Sequence, residues 1–272
     1  NGLKNLGISV DDKMLNDFNI YREILVDWNQ KMNLTGIEDE KEVYIKHFLD
    51  SVSAVTNGYI KDGVSIIDVG TGAGFPGLPL RICLRNIELT LLDSLNKRIN
   101  FLQEVSKQVG IDNIEFIHGR AEDFGKLEEY REKYDIATSR AVANTAVLSE
   151  YLMPLVVKDG KCIYMKGPDI DEEIKDGEKA IKVLGGKVEK IEKFTLPETD
   201  IKRSTFCIFS ALFPRTIINT ESIRNNDKTI AQCPAMLILE TDDISLTGFI
   251  PHDMLNGISI RQSRLFAAKT AL

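Results

Sequence analysis

The chain has 272 residues, 43% of them hydrophobic, and a formal net charge of −7 at pH 7. This length and apolar content suffice for one α/β domain with additions or for two small domains. The negative charge argues against broad electrostatic adhesion to nucleic acid, so any RNA binding must use a local basic patch. The candidates for that patch, each equally well explained as a solvated surface charge, are Arg81, Arg85, Lys97, Arg98, Arg140, Lys158, Lys161 and Lys166.

No apolar run approaches the roughly eighteen residues that a membrane span requires, and no basic segment followed by an apolar stretch opens the chain. We therefore expect a soluble, cytoplasmic protein. Cys83, Cys162, Cys207 and Cys233 are far apart and include no C-x-x-C pair. This spacing predicts reduced, buried thiols, with neither a metal site nor a disulfide framework.

Two amphipathic helices are predicted ahead of a sheet. Apolar residues recur three or four positions apart between residues 11 and 32, as at Leu15, Phe18 and Leu25, and a second helix is predicted over 39–56. We expect residues 1–60, which contain these helices, to form an N-terminal helical cap.

Strands and helices alternate through residues 61–212. The predicted strands are 64–69, 88–92, 114–118, 134–138, 160–165, 187–194 and 205–212, with helices such as 96–109 and 143–157 between them. This alternation predicts an α/β fold with right-handed crossovers and a mostly parallel, seven-stranded sheet. Residues 213–272 are expected to form an atypical extension of unknown role, with strand candidates at 235–239 and 244–250 and a helix candidate at 258–271.

A glycine-rich loop follows the first predicted strand, with the sequence D-V-G-T-G-A-G-F-P-G over residues 68–77. Gly70, Gly72 and Gly74 lack a Cβ, which permits a sharp turn and the close approach of a ligand to the backbone. The spacing differs from the G-x-G-x-x-G that holds a pyrophosphate in dinucleotide enzymes. The loop therefore favours a nucleotide cofactor without a pyrophosphate.

Polar residues follow the other predicted strands at the edge where open parallel sheets bind ligands. Asp93 ends the second strand, where doubly wound folds place the acid that binds ribose hydroxyls; capping of the helix that begins near Asn96 is the alternative. The Glu122-Asp123 pair after the third strand is typical of an adenine-edge contact, and capping of the next helix is again the alternative.

These segments, together with Asn33-Leu34-Thr35, His47-x-x-Asp50-Ser51 and Ser139-Arg140-Ala141, resemble the bacterial small-subunit ribosomal RNA guanosine-7 methyltransferase family, also called glucose-inhibited division protein B. The resemblance runs from about residue 5 to Ser204. Beyond it the chain departs from the short basic tail of that family, and only Phe213-Pro214-Arg215 is similar to it.

The resemblance implies a Rossmann-like class I methyltransferase that uses S-adenosylmethionine to methylate nitrogen 7 of a guanosine in 16S ribosomal RNA. Its partner would be 16S RNA or the small ribosomal subunit, and a monomer is expected. The cofactor contacts that the resemblance implies are Gly70, Phe75, Asp93, Ser94, Leu95, Ala121, Glu122 and Arg140. The loop pattern adds Gly72 and Gly74 to them.

Arg140 and Lys166 are candidates for holding a phosphate, the base edge or the cofactor carboxylate. No catalytic base is expected, because nitrogen 7 of guanine already presents a lone pair and the reaction needs alignment alone. His47 and His118 are accordingly predicted to be packing residues.

Other functions remain open on the sequence. A methyltransferase of the same fold acting on a protein or a small metabolite would suit the negative charge. A dinucleotide-dependent oxidoreductase is disfavoured by the glycine spacing, and a non-catalytic nucleotide-binding module would bind the cofactor without turnover.

Overall fold

The computed structural model describes residues 1–210, all within the first of the two compact units of the chain, Asn1–Leu212. The elements predicted at 235–239, 244–250 and 258–271, and residues 211–212 of the last predicted strand, lie outside the described residues. Within them, no helix has the length and apolar character needed to cross a bilayer.

Seven strands form one sheet in the order β3-β2-β1-β4-β5-β7-β6. Pairing is parallel from β3 through β5, and β7 runs antiparallel to both of its neighbours. The predicted α/β fold with a mostly parallel sheet is confirmed. The strands are β1 (Ser65–Val69), β2 (Glu88–Asp93), β3 (Ile114–His118), β4 (Tyr134–Arg140), β5 (Val156–Lys166), β6 (Gly186–Thr195) and β7 (Lys202–Ser210).

Helices cover the sheet and precede it. The α-helices among the described residues are α1 (Gly2–Asn5), α2 (Asp12–Asn29), α3 (Glu40–Glu42), α4 (Asp50–Val52), α5 (Gly77–Cys83), α6 (Asn96–Val109), α7 (Ala121–Phe124), α8 (Thr145–Leu152) and α9 (Asp171–Val183). The predicted helix over 39–56 is interrupted by a π-helical segment, Val43–Leu49, and it ends in a 3₁₀ turn, Ser53–Asn57. Such π segments are often found at functional sites.

The helix predicted over 143–157 is too long. Helix α8 ends at Leu152, a 3₁₀ turn covers Met153–Leu155, and β5 begins at Val156. Pro154 has no backbone N–H to donate, so it cannot continue the α-helical ladder. Because residues 158–160 are polar, the sequence predicted a strand that begins only at residue 160. The strand begins at Val156, which pairs with Tyr134 of β4.

An aromatic cluster joins the N-terminal helices to the sheet. Tyr21 of α2 packs against Phe48, Phe75 and Phe101, with ring centroids 5.0, 5.8 and 6.4 Å away. Tyr21 and Phe101 are completely buried. Because burial of each such ring contributes about 1.5–3 kcal/mol, the cluster fixes α2 and the π segment against the carboxyl edge of the sheet.

Cys162 and Cys207 are buried free thiols, and Cys83 is a half-buried one. Burial raises the pKa of the Cys83 thiol to about 12, which keeps it protonated and unreactive. Cys233 lies outside the described residues.

Candidate functional site

The glycine-rich loop leaves β1 with a left-handed backbone at alternate residues. The φ angles of Gly72 and Gly74 are +61° and +96°. A Cβ on Gly74 would lie 2.5 Å from the Tyr21 hydroxyl, so protein packing excludes any larger residue there. Among the described residues, the one atom within 4 Å of a Cβ on Gly72 would be the Gly70 carbonyl oxygen, at 4.0 Å. The space above Gly72 is therefore open to a ligand.

Asp68, at the end of β1, is completely buried beneath this loop. Its Oδ2 accepts hydrogen bonds from the Thr71 hydroxyl at 2.7 Å and from the Gly77 N–H at 2.8 Å. Its Oδ1 has no hydrogen-bond partner within residues 1–210. Burial raises the pKa of Asp68 from 3.8 to about 6, since a low-dielectric environment disfavours the charged carboxylate.

Asp93, at the end of β2, holds the same loop from its other side. Its Oδ2 accepts from the Gly72 N–H and its Oδ1 from the Leu95 N–H, both at 2.9 Å, and Arg98 Nη1 lies 3.3 Å from Oδ2. Helix α6 starts at Asn96 with Leu95 as its N-cap, so the alternative of Asp93 as the cap is wrong. Ser94 and the half-exposed Leu95 follow at the rim.

The predicted adenine-side residues stand at the start of α7. Arg120 is the N-cap of this helix and makes no side-chain cap hydrogen bond, whereas Glu122 and Asp123 lie in its first turn, where carboxylates stabilise a helix N-terminus. Arg120 donates from Nη2 and Nε to Glu122 Oε1, at 2.7 and 3.1 Å. Ala121 opens the helix directly before Glu122.

Arg140, the last residue of β4, belongs to a buried ionic cluster. Its Nη1 donates to Asp50 Oδ2 at 2.9 Å, and Arg203 Nε of β7 donates to Asp50 Oδ1 at 2.8 Å. Asp50 is 4% exposed, and the Arg140 guanidinium carbon lies 4.9 Å from the Phe75 ring centroid. One carboxylate thus aligns two guanidinium groups, so these three side chains together carry one net positive charge.

His47 of the π segment stacks on Phe75, with centroids 4.6 Å apart and planes 14° from parallel, so the predicted packing is present. Burial and the Arg140 charge lower the pKa of His47 to about 4. Arg140 Nη2 lies 3.5 Å from Nδ1, and Thr35 Oγ1 lies 2.6 Å from Nε2. Both ring nitrogens of His47 therefore face polar protein groups, and which of them donates depends on the tautomer of the ring.

Lys166, the last residue of β5, is already bound within the protein. Its Nζ donates to the Ala143 carbonyl at 2.6 Å and to Glu173 of α9 at 2.7 Å. Glu173 lies on α9, the helix between β5 and β6, for which the sequence analysis gave no bounds. His118 is exposed at the end of β3, where its Nε2 lies 3.1 Å from the Ser94 carbonyl oxygen.

The candidate basic residues do not form one patch. Arg98, Arg140 and Lys166 lie at the carboxyl edge of the parallel strands, whereas Arg81 and Arg85 line a groove with Glu88, the first residue of β2. Lys158 and Lys161 lie in the first half of β5, and Lys161 pairs with Glu189 at 2.7 Å.

Sequence reasoning missed Tyr21, Asp50 and Arg203 as site residues. The Tyr21 hydroxyl donates to the Ala73 carbonyl of the glycine loop. Asp50 stands in the His47-x-x-Asp50 motif, and this spacing was the signal for it. Arg203 has no local signal, since its contact with Asp50 joins residues 153 positions apart.

A mostly parallel sheet of this order, with a glycine loop after β1 and an acid at the end of β2, defines the Rossmann-like class I fold of S-adenosylmethionine-dependent methyltransferases. Residues 14–202 match the GidB family, described as rRNA small subunit methyltransferase G. The chain belongs to this family.

Curated relatives named Ribosomal RNA small subunit methyltransferase G agree with this assignment. The chain is 56% identical over 200 residues to the protein of Alkaliphilus oremlandii, covering 74% of this chain and 84% of that one. It is 50% identical over 207 residues to the protein of Alkaliphilus metalliredigens, covering 76% and 87%. Identity to the protein of Bacillus licheniformis is 48%, over the same coverage.

The titration of Asp68 gives a first prediction. Its pKa is higher in the folded state, about 6, than the ordinary 3.8, so this carboxyl stabilises the fold fully below about pH 4 and the contribution is lost as pH rises through 6. In Asp68→Asn, an isosteric change, this dependence is absent. Urea unfolding from pH 4 to 7 measures it: the wild-type free energy of unfolding minus that of the variant should fall with rising pH, by at most about 1.4 kcal/mol per pH unit. A difference that stays constant would contradict the assignment.

Tyr21→Phe tests the anchor of the glycine loop. The phenylalanine ring preserves the aromatic packing but leaves the Ala73 carbonyl without its donor. We expect the free energy of unfolding to fall by about 1–2 kcal/mol. Tyr44→Phe is the matched control, because that hydroxyl bonds Asn19 at the surface and its loss should cost much less. Equal effects in the two variants would count against a special role for Tyr21.

Proposed function

We propose that the protein transfers the methyl group of S-adenosylmethionine to nitrogen 7 of a guanosine in 16S ribosomal RNA. The observation that carries the proposal is the juxtaposition at one sheet edge of an open glycine loop and a buried cationic cluster. Phe75 connects them, since it belongs to the loop and lies under both His47 and Arg140. Family membership supplies the substrate class.

The residues at the loop fit the cofactor. The free space above Gly72 accommodates a ligand against the backbone, and the buried Asp68 and Asp93 favour a cationic one. Bound S-adenosylmethionine supplies a methyl group on a positively charged sulfur. The proposed contacts with it are Gly70, Gly72, Gly74, Phe75, Asp93, Ser94, Leu95, Ala121, Glu122 and Arg140.

The protein's own side chains position the reactants and take no proton. Nitrogen 7 attacks with its lone pair, and no proton is removed from the base in this step. His47 is neutral at pH 7 because its pKa is about 4, and both of its ring nitrogens face protein groups. Its role is to hold Phe75 and Arg140 in place.

The net charge of the chain disfavours RNA binding, but basic side chains are grouped near the proposed site. Arg140 and Arg203 share one carboxylate, and the side chain of Arg203 is 27% exposed. We propose that this cluster, with Lys166 beside it, faces the RNA. We further propose that the protein acts as a cytoplasmic monomer, with residues 1–60 as a cap, 61–212 as the methyltransferase domain and 213–272 as an extension.

Methyl transfer from labelled S-adenosylmethionine tests the reaction directly. The acceptors are small ribosomal subunits and free 16S RNA from cells that lack this activity, and the product is identified by nucleoside analysis. We expect labelled 7-methylguanosine. Label in another nucleoside would refute the assignment to nitrogen 7, and cofactor binding with no label in either acceptor would refute the RNA substrate.

The cofactor loop is tested by a pair of glycine variants. Gly72 and Gly110 both have left-handed backbones, with φ of +61° and +71°, and a Cβ on Gly110 meets nothing within 4 Å. Each alanine substitution should therefore cost about 1–2 kcal/mol in backbone strain. Only Gly72→Ala places a methyl group where the ligand is proposed to lie, so S-adenosylmethionine affinity, measured by calorimetry, should drop at least tenfold in that variant alone. Wild-type affinity in a folded Gly72→Ala protein would remove the basis for the loop assignment.

A further inference from the structure

A cavity of about 350 Å³ lies beside the cationic cluster. Its walls include Asp50 of α4, Arg140 of β4, Met165 of β5, Phe194 of β6 and Thr205 of β7. This volume falls near the lower end of the range of about 300–1,000 Å³ typical of small-molecule sites. The cavity is thus large enough for one aromatic ring system, and His47 and Arg140 of the proposed site line it.

Among the described residues, Thr205 is a polar side chain of this wall without a hydrogen-bond partner. It is 2% exposed, and its Oγ1 makes no hydrogen bond to any residue among 1–210. Neighbouring hydroxyls are engaged: Ser53 donates to the Asp50 carbonyl and Ser204 to the Pro168 carbonyl. The lysines and arginines of the wall are also paired, as described above for Arg140, Lys166 and Arg203.

A buried hydroxyl without a partner costs folding free energy, and valine has nearly the same shape without that cost. The hydroxyl of Thr205 therefore makes no hydrogen bond that stabilises the described part of the chain. A ligand that enters the cavity and hydrogen-bonds to Oγ1 would explain why a hydroxyl is present at this position.

The chemistry of the wall suits guanine. Met165 and Phe194 offer apolar and aromatic surface for the faces of a base, as in sites that bind unstacked nucleotides. Arg140 and Arg203 are pure donors, which match O6 of guanine and oppose the amino group that adenine carries at the same position. A threonine hydroxyl can accept from an amino group or donate to a ring acceptor.

We propose that this cavity receives the target guanine after it is lifted out of its stack, and that Thr205 Oγ1 hydrogen-bonds to the base. The inference rests on the proposed function and specifies which residues select the base. Thr205 acts as a substrate-binding residue and takes no part in binding the cofactor.

Thr205→Val, Thr205→Ser and Thr90→Val test the proposal. Thr90 is a buried threonine of β2 outside the cavity, whose hydroxyl bonds Glu115. In Thr205→Val we expect kcat/KM for small ribosomal subunits to fall at least tenfold, with unchanged S-adenosylmethionine affinity and a Tm no lower than that of the wild type. Thr205→Ser keeps the hydroxyl and should stay within about threefold of wild-type kcat/KM, since the hydrogen bond rather than the methyl group is the proposed contact. Thr90→Val should keep wild-type kcat/KM.

The outcomes separate this inference from the proposed function. If the wild-type protein makes 7-methylguanosine and Thr205→Val does so at the same rate, the guanine pocket is wrong and the function stands. A lower Tm in Thr205→Val would show that the hydroxyl does serve the fold, and reduced cofactor affinity would place Thr205 in the other site; either result overturns the inference. If the wild-type protein methylates no RNA, both proposals fall together.

Discussion

The left-handed glycine loop depends on three anchors that come from three different elements. Asp68 of β1 holds its far end through Thr71 and Gly77, Asp93 of β2 accepts from Gly72, and the Tyr21 hydroxyl of α2 donates to the Ala73 carbonyl. The positive-φ residues of this loop are glycines, which adopt such angles without strain but lose more conformational entropy on ordering than other residues, so the anchors are needed to hold one conformation. These hydrogen bonds hold the loop in one conformation without a ligand, which lowers the entropic cost of binding.

The same anchors couple the N-terminal helices to the reaction centre. Tyr21 lies in the aromatic cluster that also holds Phe48 and Phe75, and the π segment that carries Phe48 also carries His47. The N-terminal helices therefore contact the proposed site, because one ring, Phe75, belongs to the loop and packs against the π segment and Arg140. A substitution in α2 that disturbed this packing would reach the methyl-transfer site without touching a ligand.

Local patterns in the sequence predicted the parallel sheet and the glycine loop. Each of the strands β1 to β4 is a short apolar run, and the residues at their carboxyl ends could be placed at one edge from topology alone. The features that the sequence did not predict depend on contacts between residues far apart in the chain, which leave no local sequence pattern. The partners of Lys166 and Arg140 lie on α9 and α4, and the start of β5 is stabilised by pairing with β4 in spite of a polar sequence. The contact of Asp93 with the glycine loop was not predicted, because its hydrogen bond with the Gly72 N–H joins residues 21 positions apart.

The position of β7 bears on how the enzyme assembles as it is synthesised. β7 follows every other described strand in the chain, yet it lies between β5 and β6. Strand β6 therefore has no neighbour in the sheet until β7 has left the ribosome and entered the gap between them. Arg203 and Thr205 reach the carboxyl edge only with that last insertion. A nascent chain can complete its nucleotide loop early, but it gains the second cation of the cluster and the hydroxyl of the cavity only when almost all of residues 1–210 have been made.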